Sequence, residues 1–267
     1  MKILEATRFE GSAFGGSTMP WKMYLLDDGI EVPYIVKFFS EKSTLQQFPV
    51  FKEVISCELA SQLDIITPNY ALADLGRDFI DIAIGDAERA FLKTKHNGLK
   101  FASCYQERMM QYSHSKNIIS PYNSAKVFAF DCLLFNLDRG QRKPNILIDD
   151  DGYMAIDHEQ ALPFIDTTRN LYDLIIERFT NRNIQYVYTS HLFFSYLKGL
   201  QTHKKKDLFI EFQQDLEKLN IDKITAIINE LSINDISCDH SYRLIEYLRF
   251  AKKEAKLICE IILSVIN

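Results

Sequence analysis

Between residues 21 and 39 the apolar positions fall in two runs, Met23 to Leu26 and Val32 to Phe39, separated by Asp27-Asp28-Gly29. That pattern predicts a β-hairpin. Side chains alternate across a strand, so Ile35, Lys37 and Phe39 share one face and Tyr34, Val36 and Phe38 the other, which sets Lys37 among apolar neighbours. After Pro49 the spacing changes. Val50, Phe51, Val54, Ile55, Leu59 and Leu63 recur every three or four positions and predict an amphipathic helix over 50–63, ended by Asp64 to Pro68. One or two strands are expected within 70–84, a polar turn over 93–98, and a further strand over 99–105.

Helical spacing resumes from Ser124, read as an N-cap, to Asn136. Two short apolar runs, 146–148 and 153–156, flank Asp149-Asp150-Asp151-Gly152 and predict a second hairpin. Beyond Asn170 the pattern is helical, with segments near 170–178, 205–218, 221–231 and 240–265. The chain therefore divides into a β-rich N-terminal lobe over 1–110 and a helical C-terminal lobe over 111–267.

Composition narrows the class. With 47% hydrophobic and 25% charged residues, the 267-residue chain has the balance of a globular protein. A net charge of -5 argues against direct binding of nucleic acid, and the run His203 to Lys206 reads as a solvated surface. Five cysteines, widely spaced and without a Cys-x-x-Cys pair, argue against a zinc site or a secreted disulfide framework. No uninterrupted apolar stretch is long enough to cross a bilayer, so a cytoplasmic protein without a membrane partner is expected.

The chemistry-bearing stretch runs from Phe130 to Ile148 and on to Ile156-Asp157-His158-Glu159. It sets Asp138 at a helix end, Asn145 just before a strand and Asp157 across a hairpin. Phosphoryl transfer needs a carboxylate to orient the attacking hydroxyl and hard oxygen ligands to hold magnesium on the phosphates of ATP. Asp138 suits the first role, Asn145 and Asp157 the second. Upstream, Gly11 to Thr18 offers free amides and hydroxyls for phosphates, and Lys37 can neutralise the α- and β-phosphates. The order glycine loop, strand lysine, helix carboxylate, Asp, Asn, Asp is that of protein kinases, which makes the expected fold α+β, two-lobed and protein-kinase-like. Two carboxylates compete for Lys37: Glu53 lies on a small-residue face with Cys57 and Ala60, and Glu58 near the middle of the apolar stripe. Periodicity leaves both open. His158 reads as structural, Arg139 as a ligand of the active-site loop, and Phe193, Phe194 and Tyr196 as core.

At these residues the sequence resembles the HipA-like kinases, especially their short stand-alone branch, over residues 8 to 165. The resemblance is carried by Gly15-Gly16-Ser17-Thr18-Met19-Pro20, Val36-Lys37-Phe38, Lys52-Glu53 with Leu59-Ala60-Ser61-Gln62-Leu63-Asp64 and Pro68, Gly98 to Ser103, and Asn136-Leu137-Asp138-Arg139 reaching Pro144-Asn145. It implies a serine/threonine protein kinase using ATP and Mg2+. Asp138 would be catalytic, Lys37 would pair with Glu53, Gly15, Gly16, Ser17, Thr18 and Lys37 would bind nucleotide, and Asn145 and Asp157 would hold metal. It also implies a protein substrate, an antitoxin-like or neighbouring-gene partner, and phosphorylation of the glycine-rich loop at Ser17 or Thr18. Three features depart from the family pattern. Lys52 stands where Asn is usual, Asp64 where Gly is usual, and seven positions separate Asp138 from Asn145, more than in common protein kinases. A small-molecule kinase of the aminoglycoside or choline type uses a similar Asp, Asn, Asp set, but Asn136-Leu137-Asp138-Arg139 lacks its His-Gly-Asp pattern. A nucleotide-binding pseudokinase is the reading from outside the enzymes, disfavoured because all the core polar groups are present.

Overall fold

The structure is a computed structural model that describes residues 1–13, 18–113, 119–180, 188–205 and 207–267, with backbone alone at 178–180. Strand β1 (Ile3–Ser12) runs antiparallel to β2 (Trp21–Asp27), which turns back into β3 (Ile30–Val36). The turn is made by Asp28 and Gly29, both left-handed at φ 51° and 82°, which matches the twist of the flanking strands. Strand β3 stops at Val36 rather than running to Phe39, yet Lys37 N still donates to Phe101 O at 2.9 Å and keeps the alternation of faces. Tyr34, Val36 and Phe38 enter one core cluster, while Phe39 enters another.

Two helices follow. The first, α1 (Glu41–Gln47), escapes sequence periodicity because none of its residues is buried; the Ser40 hydroxyl caps it, accepting from Ser43 N at 3.1 Å. The second, α2 (Pro49–Gln62), is buried on nearly every face, Lys52, Glu53 and Ser56 included. An all-round buried helix packs between two bodies rather than on a surface. Lys52, whose side chain is 2% exposed, pairs with Asp166 at 2.6 Å.

Residues 70–84 are not two strands. Strand β4 (Tyr70–Asp74) is followed at the N-cap Gly76 by α3 (Arg77–Ile82), whose Phe79 joins the cluster inside the strands, and then by α4 (Asp86–Leu92). Strand β5 (Lys100–Cys104) completes a closed barrel of order β1-β2-β3-β5-β4, sealed by the parallel pairing of β1 with β4. Two bulges in β1 supply curvature. Trp21, Met23, Leu25, Val36 and Phe38 fill the interior, with the Trp21 and Phe38 rings 4.6 Å apart.

Strand β6 (Met110–Gln111) lies across the expected boundary after residue 110. It pairs with the second hairpin, β7 (Ile146–Ile148) and β8 (Tyr153–Ala155), which forms where the sequence predicts it. Between them α5 (Pro121–Leu134) is capped by Ser120, which accepts from Asn123 N at 3.1 Å; Ser124 sits inside the first turn, buried, and is not the cap. A 3-10 turn (Pro163–Asp166) precedes α6 (Leu171–Thr180), α7 (Phe194–Lys198), α8 (Thr202–Lys205), α9 (Ile210–Lys218), α10 (Ile221–Ile233), α11 (Ser241–Lys253) and α12 (Ala255–Ile266). The expected helix over 240–265 is thus broken at Glu254. The fold is mixed α+β, strands mainly N-terminal and helices C-terminal. Phe193, Phe194 and Tyr196 pack in the larger cluster, and all five cysteines are free. No helix among the described residues is long and apolar enough to cross a membrane.

Asp64 shows why one departure is tolerated. It closes α2 at φ 53°, with Ile65 N donating to Ala60 O at 2.9 Å, and its carboxylate meets the buried ammonium of Lys126. Glycine fits that left-handed position without strain, whereas alanine is strained there. Asp64→Gly and Asp64→Ala both lose the pairing with Lys126 and only alanine is strained at this φ, so Asp64→Ala is expected to be about 1–2 kcal/mol less stable than Asp64→Gly in urea unfolding.

Candidate active site

The end of β3 and the first turns of α2 bring Lys37 and Glu53 together. Lys37 Nζ donates to Glu53 Oε1 and, at 2.6 Å, to Asp157 Oδ1, so one ammonium joins the barrel, α2 and the segment after β8. Burial works against the charge on Lys37, but Glu53 and Asp157 more than offset it and hold its pKa above the usual range. Glu53 is 1% exposed, and its Oε2 accepts from His158 N at 3.1 Å. Burial pushes its carboxyl up, yet Lys37 and the His158 bond prevail and draw it down to about 2. Glu58 belongs elsewhere: it accepts from the Tyr70 hydroxyl at 2.6 Å and pairs with Lys223 at 3.1 Å. The ambiguity over Lys37 is therefore resolved by which face of α2 meets the barrel.

A second buried node lies beneath the loop that carries Asp138 and Asn145. Asp131 on α5 accepts from Arg139 Nε at 2.5 Å, from Asn136 Nδ2 at 2.8 Å and from His191 Nε2 at 2.9 Å. His191 Nδ1 accepts from Phe193 N at 3.1 Å, which leaves the proton on Nε2 and makes the ring a neutral donor to Asp131. Burial lowers the imidazole pKa and agrees with that tautomer. Burial would raise the Asp131 carboxyl, but Arg139 and His191 hold it far below the carboxylate range. The same guanidinium donates through Nη1 to Asn145 O and, at 3.3 Å, to Ile156 O. Asn145 and Asp157 both stand in the left-handed region, at φ 48° and 63°. Such backbone persists only where its surroundings hold it, and here one arginine grips the carbonyls at or next to both. The long Asp138 to Asn145 spacing is taken up by Gly140 and Gln141, which pair with His191 and Leu192.

Asn145 Nδ2 donates to Asp138 O at 3.1 Å, which commits the amide nitrogen and leaves its carbonyl oxygen as acceptor. Lys143 Nζ lies 3.5 Å from Asp138 Oδ2. Lys37, Glu53, Asn145 and Asp157 border a cleft of about 680 Å3, walled by Ile35, Met109, Leu147 and Ile156 and by Cys104 to Gln106. Asp138 opens on an adjoining recess of about 360 Å3, and Lys143 borders both. Of the glycine-rich loop, Gly11, Ser12, Ala13 and Thr18 line the cleft, whereas Gly15, Gly16 and Ser17 lie outside the described residues. Glu53, Asp157 and Glu159 offer carboxylate oxygens within 4.8 Å of one another. Both Glu53 oxygens are taken, by Lys37 and by His158 N, which leaves Asp157 and Glu159 of that group, with Asn145 bordering the same cleft as Asp157, as hard oxygen donors able to hold a magnesium ion.

Asp131, His191, Lys143 and Glu159 were missed from sequence. Asp131 carried a usable signal, a lone charge inside Phe128-Ala129-Phe130-Asp131-Cys132-Leu133-Leu134, since an apolar helix buries a carboxylate only beside a partner.

A family model described as HipA-like kinase matches residues 13–188, more than half of the chain. Among solved structures, the crystal structure of a Helicobacter pylori proinflammatory kinase, CtkA, aligns with a TM-score of 0.55 at 15% identity, covering 98% of this chain and 96% of that one. At that identity the likeness is one of fold. No curated protein matches the sequence.

Two stability measurements test the nodes. Asp131→Asn leaves a buried guanidinium without its counter-charge and is expected to cost about 3–5 kcal/mol in chemical denaturation. Glu53 is drawn down from 4.5 to about 2, so its contribution is full above the higher value and is lost as pH falls toward the lower one. The stability gap between wild type and Glu53→Gln is expected to shrink over that window as pH falls.

Proposed function

Because the chain belongs to the HipA-like kinase family, we propose that it is an ATP- and magnesium-dependent kinase that phosphorylates a serine or threonine hydroxyl of a protein. One observation carries the reading: Lys37, held by Glu53 and Asp157, shares a cleft with Asn145, while Asp138 lies on the adjoining recess. In this reading the barrel is one lobe, the helices are the other, and nucleotide lies between them.

The apolar walls Ile35, Leu147 and Ile156 suit an adenine base, with backbone groups at Cys104 to Gln106 able to meet its edge. Lys37 neutralises the inner phosphates. Bound magnesium supplies further charge neutralisation across the phosphate oxygens, and Asn145 and Asp157 are the residues that would hold it. Asp138 accepts the hydrogen bond of the attacking hydroxyl and orients it toward the terminal phosphate. Lys143, bordering both cavities, places an ammonium where the phosphoryl group passes. An antitoxin-like partner belongs to the same proposal.

Transfer from radiolabelled ATP with and without magnesium is the test. Asp138→Asn is expected to lower transfer by about 100- to 10,000-fold with the fold intact by circular dichroism. Asp157→Asn is expected to abolish transfer as well and to weaken magnesium-dependent ATP binding. Wild-type rates in both variants would overturn the assignment.

A further inference from the structure

Lys52 is a buried charge that the site just described does not use. It sits on α2 next to Glu53, and consecutive positions on a helix point about 100° apart, so the two side chains leave α2 toward different bodies. Glu53 meets Lys37 of the barrel, while Lys52 reaches Asp166 at 2.6 Å on the 3-10 turn. No side-chain cap holds the start of α2, and its first turn carries no acidic residue. An ammonium near a helix N-terminus is disfavoured, burial pushes Lys52 further toward its neutral form, and Asp166 is the carboxylate that bonds it. Asp166 is itself well anchored. Leu162 N donates to Leu134 O at the end of α5 at 2.7 Å, Phe164 and Ile165 are buried, and the Phe164 ring packs on Phe135 and Tyr247 with centroids 5.6 and 4.8 Å away. Pro163, the first residue of the same turn, borders the recess of Asp138.

We propose that the Lys52–Asp166 pair is the positioning contact that keeps α2 turned with Glu53 on Lys37. The inference rests on the kinase reading, which gives Lys37 its task on the phosphates. Lys52 and Asp166 border neither the cleft nor the recess. They act through Glu53, whose second oxygen accepts from His158 N at 3.1 Å. A rotation of α2 away from the 3-10 turn is therefore felt at two places: Lys37 loses one of its two carboxylates, and the His158 amide loses its acceptor. A contact that only added stability would instead loosen its surroundings together, the bond from Leu162 to Leu134 included.

The test compares Asp166→Asn with Asp166→Glu in the full chain, using amide hydrogen exchange followed by NMR and equilibrium binding of radiolabelled ATP with magnesium. In Asp166→Asn the His158 amide is expected to exchange faster than in wild type while the Leu162 amide keeps its rate. Magnesium-ATP is expected to bind that variant about 3- to 30-fold more weakly. Asp166→Glu, which keeps the carboxylate, should restore both. Should Asp166→Asn fail to fold around its unpaired ammonium, Lys52→Met takes its place with the same pattern expected, since it leaves behind only a carboxylate that is 24% exposed. Unchanged His158 exchange, or unchanged affinity in a protein that binds ATP, would overturn the inference. Faster exchange at His158 and Leu162 together would overturn it too, by making the pair a general support, as would a loss in Asp166→Glu equal to that in the disrupted variant. Because exchange is read without nucleotide, a faster His158 amide in a protein that binds no ATP even as wild type keeps the positioning role and counts against the kinase reading alone.

Discussion

Arg139 has no exposed surface, and neither has the carboxylate of Asp131 that faces it. A guanidinium in that position must find acceptors for its fork of donors or the fold is lost. It finds two kinds, the carboxylate on α5 and the carbonyls of Asn145 and Ile156. The geometry of the candidate site hangs on this division. Buried ion pairs are weak contributors to net stability, since desolvation offsets most of the attraction. What this one supplies is a fixed relation between α5, the Asp138 loop and the hairpin of β7 and β8, with two left-handed residues kept where their side chains reach the cleft.

Lys37 does for the upper half of the cleft what Arg139 does beneath it. Its ammonium is shared between Glu53 on α2 and Asp157 beyond β8, so the barrel and the second hairpin are tied through a single cation. The two nodes meet at Asp157, whose side chain answers Lys37 and whose preceding carbonyl answers Arg139. A displacement of either partner would be felt at the same carboxylate. His158 adds a third tie, its amide donating to Glu53 while its ring packs edge-on against Phe130, 5.9 Å between centroids.

The family match and the fold likeness to a Helicobacter pylori kinase are compatible with very different sequences because the arrangement asks little of most positions. A barrel interior needs apolar volume, and several residue choices fill it. The polar nodes are less forgiving, since each buried charge needs a partner at a set distance. Asp64 illustrates the intermediate case: its backbone conformation is the one glycine adopts freely, and an ion pair to Lys126 comes with the substitution.

Local signals in the sequence determined the first hairpin, through Asp28-Gly29 between alternating strands, the second hairpin, the extent of α2, and the order of Lys37, Asp138, Asn145 and Asp157 along the chain. They are legible because turn chemistry and periodicity act over a few residues. Tertiary structure alone decided that Glu53 and not Glu58 meets Lys37, since both lie on one helix and only its docking against the barrel ranks their faces. It decided that residues 77–82 form a helix rather than a second strand, with Phe79 buried in the same cluster as the barrel residues. It also decided the place of Asp131 and His191, whose bond to each other spans 60 positions. Pairing across such separations has no local signature: a charge in an apolar run announces that a partner exists, and only the packed chain says which one.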